Sequence, residues 1–481
     1  MTGIQSYGAY VPLFRLSRAE IARAWGGRPA PGERAVASYD EDSLTMTVAA
    51  ARDCLKGADR ASVGGLYFAS TTAPYREKQT AATIAAVLDL PADAVTADFS
   101  GSLRCGTNAL KAALDAVTAG SAESILVCAA DVRLGYPSGP GEMNFGDGAA
   151  ALLIGQDQTI AEVKHFDSRF YEIQDTWRAD RDTFVRTAED RFSMDEGYVH
   201  VMVETVSAAL AKYGLTAGDV AHLALNSPNA RQLRNAVKKL RFGEDTNVVD
   251  LHGSVGDTGS AMSLMSLVAA LEQAGTGETI LLAGYGNGCD VVILETTARV
   301  GARSDCGGLR GHIASRRLLK NYEQYLRWRE LVPIQPAARP PIEERMPSPS
   351  AQWREVAREL RLTGTRCLHC GTPQYPPQRV CVTCHTKDEM EPYSFTDVPV
   401  KVFSFSHDYV MESADSPVTV TFLDFEGGGR IMCDMTDRDP EEVVVGLPVE
   451  MTFRRLYFVN GIYNYWWKCR PLRCQLSGTE D

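Results

Sequence analysis

The sequence predicts a layered α/β domain up to about residue 330, followed by a smaller, mostly β domain. Three observations predict this division. Short apolar runs such as "VGGLYFAS", "SILVCAADV" and "TILLAGYG" alternate with helical stretches, which is typical of βαβ units around a buried sheet. Six prolines fall within residues 332–350 and predict a linker, because proline interrupts helices and central strands. Beyond Cys384, alternating β-branched and aromatic residues with glycine turns predict strands.

The α/β domain contains two pairs of similar sequence runs. The runs "FGDGAAALLIG" (145–155) and "GYGNGCDVVIL" (284–294) each place a glycine turn before an apolar strand. The runs "GSLRCGTNALKAAL" and "GSVGDTGSAMSLMSLVAAL" each place a loop of small residues before an apolar helix. Two similar halves, each a βα-layered unit, would explain both pairs.

We expect four consecutive segments. The α/β domain occupies residues 1–331 and closes with a predicted amphipathic helix, "LLKNYEQYLRWREL". The linker occupies 332–350, a helix and a metal-binding segment occupy 351–390, and a small all-β barrel occupies 391–475. The runs "VKVFSFSHDYV" and "VTVTFLDFEGGGRIMCDMT" fit five short strands, for which the OB-fold is the natural candidate.

Composition narrows the class of protein. The net charge of −12 argues against a nucleic-acid binder, which would show a basic footprint, although a local basic pocket remains compatible with it. The start of the chain lacks the pattern of a signal peptide, and no apolar run is long enough for a membrane span. Twelve cysteines in such a chain indicate a reducing compartment, so we expect a cytoplasmic protein without membrane or nucleic-acid partners.

The clearest local signal is a metal site in "CLHCGTPQYPPQRVCVTCH". Two C-x-x-C knuckles lie ten residues apart, and two such knuckles complete a tetrahedral zinc site. The predicted ligands are Cys367, Cys370, Cys381 and Cys384. Four protein ligands leave no open position, so the expected zinc is structural. His369 and His385 stand beside the knuckles as alternative ligands or as surface residues.

A second cysteine draws attention for a different reason. Cys105 stands where "SLRCGTNALKAALDAV" enters a predicted helix, and a helix N-terminus stabilises a thiolate. Cys105 is therefore a candidate nucleophile. The alternative is a small residue in a tight turn, since a free cysteine usually behaves as a buried hydrophobe.

Several motifs carry a resemblance to a known family. They include "YGAYVPLFRLSRAEIARAWG", "APYREK", "SLRCGTNAL", "NSPNARQ", "GDTGSAMSL", "YGNG" and "YEQYLRWRE". Over about residues 1–331 the chain resembles the thiolase superfamily, and within it the archaeal type of hydroxymethylglutaryl-CoA synthase. Residues from about 350 to 475 resemble the rubredoxin-like zinc-ribbon and OB-fold proteins that accompany thiolase-like enzymes. The resemblance implies a doubled βαβαβ fold, a homodimer and an active site between the halves.

The chemical residues of the synthases are not found at the matching positions. The nucleophilic cysteine's position is Leu103, and Cys105 stands two places further on. The family's glutamate position is Thr71 and its histidine position is Asn226. Two residues along a helix rotate a side chain by about 200°, so we expect Cys105 to point away from the cavity.

Three functions fit this pattern. Leucine forms no acyl-enzyme, so the leading hypothesis is acyl-CoA carbon–carbon chemistry of the aldol or retro-aldol type, without a covalent intermediate. The second is a synthase-like condensing acyltransferase that uses Cys105 or a thiol from a partner subunit. The third is a non-catalytic scaffold that binds acyl-CoA within a thiolase complex.

The candidate catalytic residues besides Cys105 are Asp257, Tyr75, Asn226 and Tyr285. Asp257 lies in "GDTGSAMSL", where the family usually carries asparagine. It could be a base, or it could cap the following helix, since aspartate is a favoured N-cap. Asn226 could donate to an oxyanion or fill the space left by the histidine.

The resemblance implies coenzyme A as the acyl carrier. In "NARQLRNAVKKLRF", a predicted helix supplies Asn229, Arg231, Arg234 and Lys238 as candidate cofactor-binding residues. A basic cluster that also includes Lys239 and Arg241 can hold phosphates on an acidic protein. For Lys238, Lys239 and Arg241 a solvated helix face is an equally good interpretation. A thiolase partner is possible besides the acyl-CoA substrate.

Overall fold

The computed structural model describes residues 1–301, 307–335 and 348–473. They form two compact units. The first comprises Met1–Ala37, Asp42–Ala85 and Leu90–Tyr325, and the second comprises Ser38–Glu41, Ala86–Asp89 and Leu326–Asp481. Residues 336–347 of the predicted linker and the last two of the predicted barrel segment lie outside the described residues. The boundaries given above for the four sequence segments therefore stay predictions.

The first unit is built on strands separated by helices. Its strands are β1 (Gly3–Tyr10), β2 (Phe14–Ser17), β3 (Glu33–Val36), β4 (Val63–Ala69), β5 (Val95–Phe99), β6 (Ser124–Asp131), β7 (Gly148–Gly155), β8 (Ala161–Phe170), β9 (Thr176–Trp177), β10 (Arg186–Thr187), β11 (His222–Leu225), β12 (Asn247–Val248), β13 (Thr279–Tyr285), β14 (Gly288–Thr296) and β15 (Arg317–Leu318). The α-helices up to Trp328 are, in chain order, α1 (Arg18–Trp25), α2 (Ser43–Cys54), α3 (Thr80–Val87), α4 (Cys105–Thr118), α5 (Pro140–Asn144), α6 (His200–Tyr213), α7 (Ala230–Leu240), α8 (Met262–Leu271), α9 (Gly308–Ala314) and α10 (Tyr322–Trp328).

The sheet confirms the predicted doubling. Ten strands lie in the order β12-β11-β13-β14-β8-β1-β7-β6-β4-β5. Around the central β1–β8 pair each half repeats the same pairing: β4 lies parallel to β5 and β6 as β11 lies parallel to β12 and β13, and β6–β7–β1 are antiparallel like β13–β14–β8. Three of these strands, β6, β7 and β11, are buried along their whole length, which explains their unbroken apolar runs.

Helices α4 and α8, which the paired loop–helix sequence runs predicted, pack together at the centre of the first unit. Gly106 in α4 allows this approach, because a Cβ there would lie 2.6 Å from the carbonyl oxygen of Ser260 just ahead of α8. Both helices therefore begin in the same region of the first unit. Their buried faces join one large apolar cluster with β1, β6 and β7.

The second unit contains two short helices and eight strands among its described residues. They are α11 (Pro349–Arg354), α12 (Val356–Glu359), β16 (Thr363–Cys367), β17 (Pro373–Gln374), β18 (Met390–Ser394), β19 (Val400–Asp408), β20 (Val418–Phe425), β21 (Arg430–Met435), β22 (Pro448–Val459) and β23 (Ile462–Pro471). Strands β17-β16-β18 form the ribbon sheet, and β19-β20-β21-β23-β22 form a closed barrel. The barrel confirms the predicted OB-type domain.

The segment Ser38–Glu41 belongs to the second unit through buried ion pairs. Asp40 accepts hydrogen bonds from Lys468 Nζ at 3.0 Å and Arg454 Nη1 at 3.3 Å. Arg454 also pairs with Glu41 at 2.6 Å and with Asp437 at 2.5 Å. All five side chains are less than 6% exposed. Because a buried charge is costly without a partner, these groups depend on one another.

No helix in the described parts of the chain combines the length and hydropathy needed to cross a bilayer.

Candidate active site

A cleft in the first unit holds most of the predicted site residues. It has a larger lobe of about 800 Å³ and a smaller lobe of about 600 Å³. The two lobes adjoin each other, since both are lined by Leu103, Arg133, Asp175, Thr176, Trp177, Val185 and Tyr285. Asn226, Asn229, Arg231 and Asp257 line the larger lobe, and Thr71 and Tyr75 line the smaller.

The fold explains why these residues meet. Thr71 follows β4, Asn226 follows β11, and Tyr285 ends β13. β11 and β13 run parallel, and β4 is the equivalent of β11 in the other half; carboxyl ends of parallel strands are where open α/β sheets bind ligands. Leu103 stands two residues before α4, so the N-terminus of that helix also faces the cleft.

Cys105 lies in neither lobe's lining and is 2% exposed. Burial raises the pKa of its thiol, and the nearby Asp131 carboxylate raises it further. The effect of desolvation on this thiol exceeds the stabilisation that a helix start offers to a thiolate. Leu103, not Cys105, occupies the cleft wall.

A buried carboxylate fixes the loop that carries Thr71. Asp131, fully buried, accepts hydrogen bonds from the Thr71 N–H at 2.7 Å and the Thr71 hydroxyl at 3.0 Å. It also accepts from the hydroxyls of Ser70 and Thr72 and from the Ser260 N–H, at 2.8 to 3.0 Å. The Thr71 hydroxyl thus has a structural partner. Tyr75 lies further along this loop, with the Lys78 ammonium 5.6 Å from its ring centre.

The Asn226 side chain is held by backbone. Its Oδ1 accepts from the Tyr285 N–H at 2.6 Å, and its Nδ2 donates to the Tyr285 carbonyl at 3.0 Å. Asn226 is 5% exposed. Two hydrogen bonds to one residue join the ends of β11 and β13, and one amide hydrogen is left for the cleft.

Asp257 has both a local contact and an ionic one. Its Oδ1 accepts from the Gly259 N–H at 2.9 Å, but the N-cap of α8 is Ala261, so Asp257 does not cap that helix. Its Oδ2 accepts from Arg133 Nη1 at 3.0 Å, and the Arg133 guanidinium stacks 4.2 Å from the Phe145 ring centre. Both carboxylate oxygens of Asp257 are therefore engaged by groups of the protein itself.

Sequence reasoning missed Asp175. The Tyr285 hydroxyl donates to Asp175 Oδ2 at 2.5 Å, while Asp175 Oδ1 accepts the Thr176 N–H at 2.7 Å. Burial raises the pKa of Asp175. Burial and the adjacent carboxylate also raise the pKa of Tyr285, which keeps the phenol neutral. Asp175 lies in an irregular segment with no recognisable motif, so no sequence signal identified it.

Arg104 was also missed, and its role is structural. Its Nη1 donates to Asp290 Oδ1 at 3.0 Å, and Asp290 is fully buried. The same carboxylate accepts from Thr107, Asn108 and Ser168 at 2.6 to 2.9 Å. This cluster fastens the start of α4 to β14 and so sets the position of Leu103.

The candidate cofactor residues separate into two groups. Asn229 caps α7 by accepting from the Gln232 N–H at 3.0 Å, and it lines the larger lobe with the exposed Arg231. Arg234 and Lys238 are exposed on α7 and lie in neither lining. The larger lobe contains two further arginines that the sequence analysis did not single out, Arg186 and Arg191.

The four ribbon cysteines converge as predicted. Their sulfur atoms all lie within 4.8 Å of one another, with Cys370 Sγ and Cys381 Sγ at 3.5 Å and Cys367 Sγ and Cys384 Sγ at 3.6 Å. Four sulfur donors at these separations fit a tetrahedral zinc ion. Neither His369 nor His385 belongs to the cluster.

Comparison with known proteins defines the class. Residues 210–294 match the family described as 3-oxoacyl-[acyl-carrier-protein] synthase III C terminal. A solved hydroxymethylglutaryl-CoA synthase complexed with CoA aligns with a TM-score of 0.61 and 19% identity, over 70% of this chain and 91% of that one. A second, described as MvaS in complex with 3-hydroxy-3-methylglutaryl coenzyme A, aligns with a TM-score of 0.59 and 20% identity, over 71% and 94% of the two chains. The first unit is therefore a thiolase-like fold.

The sequence relatives are more specific. The hydroxymethylglutaryl-CoA synthase of Thermococcus onnurineus (strain NA1) is 32% identical over 293 residues, which are 60% of this chain and 83% of the relative. The chain belongs to the hydroxymethylglutaryl-CoA synthase family. Residues 354–391 match the family described as ChsH2, rubredoxin-like zinc ribbon domain, and residues 399–454 match its C-terminal OB-fold domain. The rubredoxin-like ribbon supports a structural zinc on the four cysteines.

Proposed function

We propose that this chain makes or breaks a carbon–carbon bond in an acyl-CoA by aldol or retro-aldol chemistry, without an acyl-enzyme. One observation carries the proposal. Leu103, which the family resemblance matches to the synthase nucleophile, lines both lobes, whereas Cys105 is buried outside both linings. Leucine has no group that could attack a thioester, and acyl transfer requires such a group.

The cleft has the features needed to stabilise an enolate. The N-terminus of α4 faces it, and the backbone N–H of Leu103 donates no hydrogen bond within the described part of the chain. A free N–H at the positive end of a 14-residue helix favours negative charge on a thioester oxygen. Asn226 has a remaining amide hydrogen that could reach the same oxygen.

Coenzyme A is the proposed acyl carrier. The name of one solved neighbour includes CoA, and that of another includes 3-hydroxy-3-methylglutaryl coenzyme A, itself a β-hydroxyacyl thioester of the kind an aldolase cleaves. Arg191 and Arg231 line the larger lobe, and no residue described in the structure forms an ion pair with either. They are the arginines best suited to bind the phosphates of CoA, ahead of Arg234 and Lys238.

A scaffold that binds acyl-CoA without turnover is the second candidate. It is favoured by the side chains of Thr71 and Asn226, which occupy positions of the family's chemical residues but are hydrogen-bonded to the protein itself. A condensing acyltransferase that uses Cys105 receives no such support, because the thiol is desolvated. We further propose a cytoplasmic homodimer formed by the first unit, with a thiolase as a possible partner.

The decisive experiment combines a cleavage screen with intact mass. The purified full chain is incubated with a panel of β-hydroxyacyl-CoAs, including 3-hydroxy-3-methylglutaryl-CoA, and separately with acetyl-CoA and acetoacetyl-CoA. We expect a shortened acyl-CoA and a carbonyl product, with the protein mass unchanged. An acyl adduct that disappears in Cys105→Ser would establish the condensing alternative, and CoA binding without any turnover would establish the scaffold.

A further inference from the structure

Two buried carboxylates line the cleft, and their partners differ. Asp257 is ion-paired with Arg133 at 3.0 Å. Asp175 has only neutral hydrogen-bond donors, the Tyr285 hydroxyl and the Thr176 N–H, and no cation lies within ion-pair distance of it among the described residues. Two carboxyl groups in contrasting environments are the pattern by which enzymes separate a base from a charge stabiliser.

The location of Asp175 and Tyr285 suits a catalytic role. Both residues line both lobes together with Leu103, so they border the place that the family's nucleophile would occupy. Each is 6% exposed. A group bound at the junction of the lobes would meet the carboxylate in surroundings where water is scarce.

The neighbouring helix is shaped around this pair. Phe192–Val199 forms a π-helical segment immediately before α6, and such segments are uncommon and frequent at functional sites. Within it, a Cβ on Gly197 would lie 2.9 Å from the Tyr285 hydroxyl oxygen and 3.3 Å from Asp175 Oδ2. Glycine is unfavourable inside a helix, and here it leaves room for the hydrogen-bonded pair. Tyr198 packs edge-on against Tyr285, with ring centres 5.4 Å apart.

From this geometry we infer that Asp175 is the general base for the substrate's β-hydroxyl group and that Tyr285 is the hydrogen-bond donor that holds it. The inference rests on the proposed aldol function. In the cleavage direction, Asp175 accepts the β-hydroxyl proton, the bond between the α- and β-carbons breaks, and its electron pair enters the thioester enolate. The β-carbon leaves as an aldehyde or ketone. The proton on Asp175 then passes to the α-carbon, so the shortened acyl-CoA forms without net oxidation or reduction.

The electrostatics agree with this role. Burial raises the pKa of Asp175, and a carboxyl group with a raised pKa is a stronger base when ionised. Tyr285 stays protonated. Its hydroxyl can therefore donate a hydrogen bond to Asp175 or to the carbonyl oxygen, whichever of the two carries the negative charge.

The test compares three variants in the full chain on a β-hydroxyacyl-CoA that the wild type cleaves. Asp175→Asn is expected to lower kcat by about 10²- to 10⁴-fold, the usual contribution of a general base. Tyr285→Phe keeps the ring packing and is expected to lower kcat less. Gly197→Ala changes no charge but displaces the pair, so kcat should fall while the dissociation constant for CoA stays within about twofold of wild type.

The control is Asp115→Asn, the same substitution on an exposed carboxylate of α4 whose ionic partner among the described residues is Lys111. It should retain wild-type kcat. If Asp175→Asn, folded by circular dichroism, keeps kcat within about threefold, the inference is wrong while the proposed function stands. If the wild type neither cleaves nor forms any β-hydroxyacyl-CoA, the proposed function fails and the inference fails with it.

Discussion

The ribbon cysteines and Cys105 are the same residue type in opposite settings. The ribbon brings four sulfur atoms within 4.8 Å of one another near the surface, and hydrogen bonds from Thr386 lower the pKa of Cys384 to about 5. Cys105 stands at a helix start, the position that ordinarily activates a thiol, yet burial raises its pKa. At Cys105 burial outweighs the helix start, so a cysteine's position in a helix does not by itself mark a nucleophile.

The largest effect is expected at the ribbon. Replacing Cys370 by Ser removes one of four ligands, so bound zinc should fall from one ion per chain to none, measured by elemental analysis after gel filtration. Residues 351–390 should then be cleaved rapidly by protease, since metal binding and folding of such sites are coupled. Cys54→Ser, a buried cysteine outside the cluster, should keep its zinc. Full zinc content in Cys370→Ser would show that the four-cysteine assignment is wrong.

A cysteine introduced two residues before Cys105 should give a reactive thiol, in contrast to Cys105 itself. In Leu103→Cys the sulfur would lie in the cleft wall, at the start of α4. We expect alkylation by iodoacetamide, mapped by peptide mass spectrometry, more than about 100-fold faster at position 103 than at Cys105, since each pKa unit changes the thiolate fraction about tenfold. Incubation with acetyl-CoA should also acetylate the variant. Leu103→Ala is the thiol-free control, and equal labelling of the two positions would contradict the contrast.

Replacing Cys105 itself should affect stability and leave catalysis intact. Cys105→Ser places a more polar hydroxyl in a buried site at a cost of about 1–2 kcal/mol in the free energy of unfolding, measured by urea denaturation. Activity in the cleavage assay should stay within about twofold of wild type. Cys105→Ala separates polarity from packing. Loss of activity in both variants at unchanged stability would make Cys105 part of the reaction.

The smallest expected effect is a change in stability at two carboxylates, Asp175 and Asp182, whose pKa values are shifted in opposite directions. Because the pKa of Asp175 is raised by burial, its protonated form stabilises the fold below about pH 4, and that stability is lost as the pH rises through the raised pKa. Asp175→Asn should therefore be more stable than wild type at pH 7, with the gain vanishing at low pH. Asp182 has a pKa lowered by Arg186, so Asp182→Asn should lose stability at pH 7. If both variants were more stable than wild type at pH 7, the raised pKa of Asp175 would not be the cause of the gain in Asp175→Asn.

What could be predicted from sequence depends on how local the signal is. The zinc ligands lie in two knuckles ten residues apart, and the doubled sheet was visible in repeated loop–helix and turn–strand runs. The Asp175–Tyr285 contact joins residues 110 apart, and the Asp131 cluster joins a strand end to Ser260, two residues before α8. Neither contact leaves a periodic pattern. The family resemblance predicted that Leu103, Thr71 and Asn226 replace the chemical residues of the synthases, while the polar groups around these three residues became visible only in the fold.

The embedding of Asp40 in the second unit has a consequence for how the chain is made. Asp40 precedes its partner Arg454 by 414 residues, and at about 5–20 residues per second this separation corresponds to roughly 20–80 s of synthesis. During that time the acidic segment has emerged and the basic strand does not yet exist. The second unit can be completed only after Arg454 has left the ribosome, and Ser38–Glu41 must remain accessible until then.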